Sequence, residues 1–249
     1  MLEENRKLFE DIERRYYFLP IKEHFENKVS KVGAEKVLSY LTEVMQHSTA
    51  AVKQIIQTQI RSGKISDAAQ ARKAIAGNAF QGLVAYALIY LQNNGSINRD
   101  LVITLKPKRH KLIENYATIR IGDDVQKPDV DLMIYHSAKL EHSPVLIFSL
   151  KTSLRERAGQ TYKWKLLMDI AASQDCLQIK QKYGLSFDVQ KDFKMGLITA
   201  NFYDEIMQPQ QIGMLKFFDF VYLTKTGKFN PPVKEFSEIV ADLKSLYKS

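Results

Sequence analysis

Apolar positions in the first 93 residues recur near helical spacing with few interruptions. Leu2, Leu8, Phe9, Ile12 and Tyr16 form one such stretch, until Pro20 interrupts it. A second carries Val37, Leu38, Leu41, Val44 and Met45, and a third carries Val52, Ile55, Ile56 and Ile60. Arg-Ser-Gly-Lys at 61–64 breaks the pattern. Ser66 then reads as the N-cap of a long helix running to Leu91, which Asn94 and Gly95 end. After Gly95 the texture changes to short β-rich runs at 101–105, 117–121, 131–135, 145–150, 196–199 and 218–223. Helical patterns at 160–172, 176–183 and 233–247 accompany them. The run at 145–150 is the most apolar and suits a central strand. The pattern predicts an α/β or α+β core behind an α-helical N-terminal region.

Composition narrows the classes. With 249 residues, 45% hydrophobic and 26% charged, the chain has room for one large folded core. No run of 18 apolar residues occurs, so no membrane-spanning helix is expected. The opening MLEENRKLFEDIERR is charged and lacks an apolar stretch, so it does not read as a secretory signal. The single cysteine, Cys176, excludes a disulfide framework and a cysteine-based zinc cage. A cytoplasmic protein without a membrane partner is expected. The excess of 36 Lys+Arg over 28 Asp+Glu, a net charge of +8, points to a polyanionic partner. No glycine-rich phosphate loop is present, so no nucleotide cofactor is expected. The five histidines show no ligand spacing, and no serine has a convincing base partner.

The candidate chemistry lies in Lys127-Pro-Asp-Val-Asp-Leu-Met-Ile-Tyr135 and Val145-Leu-Ile-Phe-Ser-Leu-Lys151. Asp129 opens one predicted strand, and Lys151 lies 22 positions later near the end of the next. If the strands pair as a hairpin with its tip at 137–144, the start of the first meets the end of the second. The acid and the lysine then meet. A carboxylate and a nearby carbonyl can hold Mg²⁺, and a lysine beside them can orient water and stabilise phosphoryl charge. Asp129 and Asp131 share one strand face, as do Ser149 and Lys151. A strand-start turn for Asp129 and an exposed strand-end lysine are the plainer readings.

These residues resemble the PD-(D/E)XK nuclease signature, with Pro128-Asp129 as its first element and Ser149-Leu150-Lys151 as its second. Ser149 replaces the second acid. Directly after the lysine comes Thr152-Ser-Leu-Arg155-Glu156-Arg157, which resembles the R-(D/E)R element of type II restriction endonucleases that cut CCGG-containing sites. The physical fit is independent of the resemblance: arginine donates two bonds to guanine, and glutamate accepts from cytosine N4. The layout is most similar to the BsaWI type. The resemblance implies a mixed central sheet flanked by helices, with a catalytic and recognition domain at 71–249. The helical region at 1–70 would serve dimer contacts or clamp DNA. It implies Mg²⁺ held by Asp129 and the Leu150 carbonyl, with Lys151, Ser149 and Gln81 completing the centre.

It also implies double-stranded DNA as substrate, read by Arg155, Glu156 and Arg157, and a homodimer or higher oligomer matching a palindromic site. Lys163 and Lys165 are expected to contact phosphates, with Trp164 between them packed in the core. Gln81 stands where such nucleases often carry a glutamate, and Glu114 is a further candidate acid. The glutamate that related enzymes carry about 13 residues past the lysine is absent: Trp164 stands there, and Asp169 is the nearest downstream carboxylate. The basic run Lys106-Pro-Lys-Arg-His-Lys111 is either a phosphate contact or a solvated loop. Two other functions remain open: a structure-specific or repair nuclease of the same fold, and an inactive DNA-binding module.

Overall fold

The computed structural model describes residues 1–128, 130–153, 158–187, 192–202, 206 and 208–247. Helices come first: α1 (Glu3–Glu13), α2 (Leu19–Val32), α3 (Leu41–Arg61) and α4 (Ala68–Asn93). Pro20 sits in the first turn of α2, where its missing N–H has no partner to lose, so it opens a helix as well as ending the previous pattern. The second and third periodic stretches merge into α3, entered through a 3-10 turn at Lys36–Tyr40. The cap of α4 is Asp67 rather than Ser66: its carboxylate accepts from the backbone N–H groups of Ala69 (2.8 Å) and Gln70 (3.0 Å).

By length and composition α4 qualifies as a membrane-crossing helix, although no unbroken apolar run marks it. Its apolarity has another use. Phe80, Leu83, Val84, Tyr86, Leu88 and Leu91 are fully buried, and the Tyr86 ring stacks on Phe9 and meets Phe18 and Phe25 edge-on. A helix apolar around most of its circumference is a core helix.

The second part of the chain supplies β1 (Leu101–Leu105), α5 (Lys111–Tyr116), β2 (Ile119–Ile121), β3 (Asp124–Gln126), β4 (Leu132–His136) and β5 (Val145–Lys151). Then follow α6 (Ala158–Ala172), α7 (Leu177–Tyr183), β6 (Leu185–Phe187), β7 (Phe193–Thr199), α8 (Pro209–Leu215), β8 (Phe220–Leu223), β9 (Val233–Glu235) and α9 (Ile239–Leu246). A six-stranded sheet has the order β1-β4-β5-β7-β8-β9, antiparallel through β5 and parallel from β5 onward. A small antiparallel sheet, β3-β2-β6, stands apart from it. The mixed α/β core with an N-terminal helical region is therefore the architecture expected. The helix expected over 233–247 is shorter, because Val233–Glu235 pairs with β8. A capping box between Glu235 and Glu238 then starts a 3-10 turn that leads into α9.

The sheet divides two cores by the period-two alternation of its strands. Leu146, Phe148 and Leu150 of β5 face the cluster built with α1–α4 and α9, whereas Val145 and Ile147 face the cluster that includes Met168 and Leu215. Gly196 of β7 allows this packing: a Cβ there would come within 2.4 Å of the Phe148 ring and 3.0 Å of the Phe220 carbonyl. One core runs across residue 70, since Ile12, Phe18, Phe25 and Leu41 share a cluster with Leu101, Ile134 and Phe148.

Asn5 ties the first helix to the sheet edge. Its buried side chain donates to the Leu101 carbonyl (2.8 Å) and Gln92 Oε1 (2.6 Å), and accepts from the Ile103 N–H (2.8 Å). Asn5→Ala strands several buried polar groups and is expected to cost about 3 kcal/mol in urea unfolding. An unchanged midpoint would mean that water replaces the amide.

Candidate active site

The site forms where β4 begins and β5 ends. The antiparallel register Leu132↔Phe148, Met133↔Ile147 and Ile134↔Leu146 ends at Leu132, and just before it the Asp131 N–H donates to the same Phe148 carbonyl (3.0 Å), one residue out of step. Asp131 thus lies beside the last residues of β5, and the alternation that puts Ile147 in the second core puts Ser149 and Lys151 on the same side. The expected hairpin exists, and it brings an acid to the lysine.

That acid is Asp131. One carboxylate oxygen, Oδ2, accepts from the Leu150 N–H (2.8 Å), the Lys151 ammonium (3.0 Å) and, at 3.4 Å, the Ser149 hydroxyl. Its Oδ1 accepts from Gln81 Nε2 (2.8 Å), which reaches over from α4. Lys151 is 8% exposed and Ser149 is fully buried. A buried ion pair persists only when further hydrogen bonds satisfy it, and here an amide, a hydroxyl and a main-chain N–H do so. Asp129 lies outside the described residues, as do Arg155, Glu156 and Arg157.

The amide of Gln81 is half satisfied. Its nitrogen serves Asp131, while its Oε1 is buried and meets no donor among the described residues. Such an oxygen, with a carboxylate and a hydroxyl beside it, suits a hard oxygen-seeking cation or a water. Among the described residues no group of three or more His, Cys, Asp or Glu stands together.

Other expected residues lie elsewhere. Glu114 accepts from Lys127 (2.9 Å) at the surface, and that lysine holds its carboxyl below the ordinary range. Lys163 is exposed on α6. Lys165, expected to contact phosphate, directs its ammonium to Asp169 (2.6 Å), with Asp219 at 3.8 Å. That pairing also occupies Asp169. Trp164 packs partly buried against the second core, as expected. Thr161, whose hydroxyl lies 3.4 Å from that of Ser149, was not anticipated. A threonine ten residues past the lysine carries no signal in the sequence, because only the return of α6 onto the sheet brings it there.

A family model described as "BsaWI restriction endonuclease type 2" matches residues 108–249. The chain belongs to the BsaWI restriction endonuclease family. The matched range contains Asp129, Asp131, Ser149, Lys151 and Arg155–Arg157 in sequence, but neither Gln81 nor α1–α4. The enzyme is accordingly a type II site-specific deoxyribonuclease. Enzymes of this family generally use divalent metal ions. Among solved structures, the PspGI restriction endonuclease in complex with substrate DNA is similar at a TM-score of 0.48 and 13% identity, covering 91% of this chain and 92% of that one. The pre-specific BsaWI–DNA complex is similar at a TM-score of 0.39 and 15% identity, covering 96% of this chain and 92% of that one. No curated protein matches by sequence.

Proposed function

We propose that this BsaWI-family enzyme hydrolyses phosphodiester bonds in double-stranded DNA at a CCGG-containing palindromic site, with Mg²⁺ as cofactor. The observation that carries this reading is the buried Asp131–Lys151 pair at the end of β5, in contact with Gln81 and a few residues before Arg155-Glu156-Arg157 in the chain.

Asp131 and Asp129 are the carboxylates proposed to hold the cation, with the Leu150 carbonyl, the Ser149 hydroxyl and Gln81 Oε1 as neutral oxygens. When bound, a divalent cation polarises the phosphoryl group and makes hydroxide available from water. Asp131 holds the Lys151 side chain in place through its 3.0 Å contact. The lysine then orients the attacking water and stabilises charge developing on the phosphoryl oxygens. Gln81 holds the second oxygen of Asp131, so the carboxylate cannot rotate away. Arg155 and Arg157 would donate to guanine O6 and N7, while Glu156 would accept from cytosine N4. A palindromic site calls for a two-fold protein, hence a homodimer in which each protomer reads one half-site.

The test is a digest of plasmid DNA of known sequence with Mg²⁺, beside an EDTA control. Discrete fragments with ends mapping to CCGG-containing sites, absent in EDTA, are expected. Nicking without defined ends would indicate a structure-specific nuclease instead. Salt-sensitive binding with no scission would indicate that Ser149 and Gln81, standing where relatives carry acids, mark a retired centre.

A further inference from the structure

We propose that Lys106 grips a backbone phosphate of the DNA beside the scissile bond. The inference rests on the placement of the catalytic centre at Asp131 and Lys151, and draws on three observations about Lys106 itself.

The first is conformation. Lys106 adopts φ 51° and ψ 51°, the left-handed region that a side chain disfavours and that glycine or asparagine occupies more readily. Among the described residues the other non-glycine with positive φ is Asn201. Asn201 is buried and has a local reason for its shape, since its side-chain oxygen accepts from the Ile206 N–H and its own N–H is held by Thr199. Lys106 is exposed, and local packing does not call for a long cation there. Strain kept at an exposed position is a reason to look for function.

The second observation is position. The register of β1 with β4 ends at Leu105↔Leu132, and the Lys106 N–H continues it by donating to the Asp131 carbonyl (2.8 Å). Lys106 is therefore joined through the main chain to the acid of the centre. Two strands away from Lys151, it lies at the same end of the sheet, where β1 and β5 both finish.

The third is aim and charge. The Lys106 ammonium donates to Asn78 Oδ1 (2.9 Å), and Asn78 lies one turn before Gln81 on α4. One helix thus steers both the centre's acid and this cation. No carboxylate among the described residues pairs with Lys106, in contrast to Lys151 and Lys165. An ammonium uses one of its three donors on Asn78 and keeps two for an anion. Exposed Arg109 follows three residues later, so the anion favoured here is the phosphodiester chain of the substrate.

The experiment measures binding of two duplexes, one containing CCGG and one lacking it, across a NaCl series in EDTA. Wild type is compared with Lys106→Ala, Lys106→Gly and Lys106→Arg. Loss of one phosphate contact lowers the slope of log K against log[salt] by about 0.9. That drop is expected for Lys106→Ala and Lys106→Gly on both duplexes alike, and Lys106→Arg is expected to keep the wild-type slope. Lys106→Gly releases the strained backbone, so its Tm is expected at or above that of wild type, which separates lost charge from lost folding. An unchanged slope in the alanine and glycine variants overturns the proposal and leaves a solvated loop. A change confined to the CCGG duplex overturns it too, because it would mean base reading. Because binding is read without metal, failure of the wild type to cut would sink the nuclease reading separately.

Discussion

Lys151→Ala is expected to slow single-turnover cutting of a CCGG-containing plasmid by roughly 10²–10³-fold, the range for losing one group that stabilises charge in the transition state. The reason is local. Lys151 ends a strand whose seven residues are all buried, and its ammonium is held 3.0 Å from Asp131 Oδ2. Truncation removes a positive charge from the place where phosphoryl charge develops, and no other described cation contacts Asp131. Lys151→Arg is expected to rescue little, because a planar fork does not fit the socket of a compact ammonium at 8% exposure. Duplex binding without metal should stay close to wild type in the alanine variant. Retention of more than about a tenth of the wild-type rate would remove Lys151 from the chemistry.

The second large effect is expected at Asp131, and it should appear in stability as well as activity. Asp131→Ala deprives the Lys151 ammonium, the Leu150 N–H and the Gln81 amide of a common acceptor. Removing one member of a buried ion pair costs about 3–5 kcal/mol. The side chains are 9% and 13% exposed, so screening by solvent is slight. Urea unfolding should show that loss, and cutting should vanish at temperatures where the variant remains folded. Asp129→Asn is the companion measurement: cutting is expected to fall while the unfolding midpoint holds. If Asp129→Asn cuts normally, Asp131 alone supplies the charge for the cation. If Asp131→Asn cuts normally, Asp131 only positions the lysine.

The comparison of these two aspartates shows how far the sequence could be read. The hairpin argument, an acid at the start of one strand and a lysine at the end of the next, was sound because antiparallel pairing dictates it. Which acid faces the lysine depends on register, and a two-residue difference keeps both on one face. The proline-aspartate pattern favoured Asp129, which lies outside the described residues, whereas the bonds that the Asp131 carboxylate accepts from the Leu150 N–H and the Lys151 ammonium are what set Asp131 beside the lysine. Gln81 was legible as a position on a helix before the sheet. Its orphaned Oε1 was not, because burial and partners arise only when α4 crosses the start of β4. Lys165 reads as a phosphate contact beside Lys163, and its neighbourhood with Asp219, just before β8, was not legible because it arises only once α6 is placed against the turn before β8.

By itself the sequence determined the helical N-terminal region, the central strand at 145–150, the mixed α/β class and the motif that marks the family. These rest on short-range periodicity and on residues close together in the chain, where covalent geometry dictates which faces align. Only the tertiary structure decided that α1–α4 share one core with the sheet, that Val233–Glu235 is a strand, and that Lys106 stands joined to Asp131. A three-residue strand has no period of its own and exists because β8 offers it an unpaired edge. The contact of Lys106 with Asn78 likewise spans 28 residues, and no local preference encodes it; the packing of α4 across the sheet does.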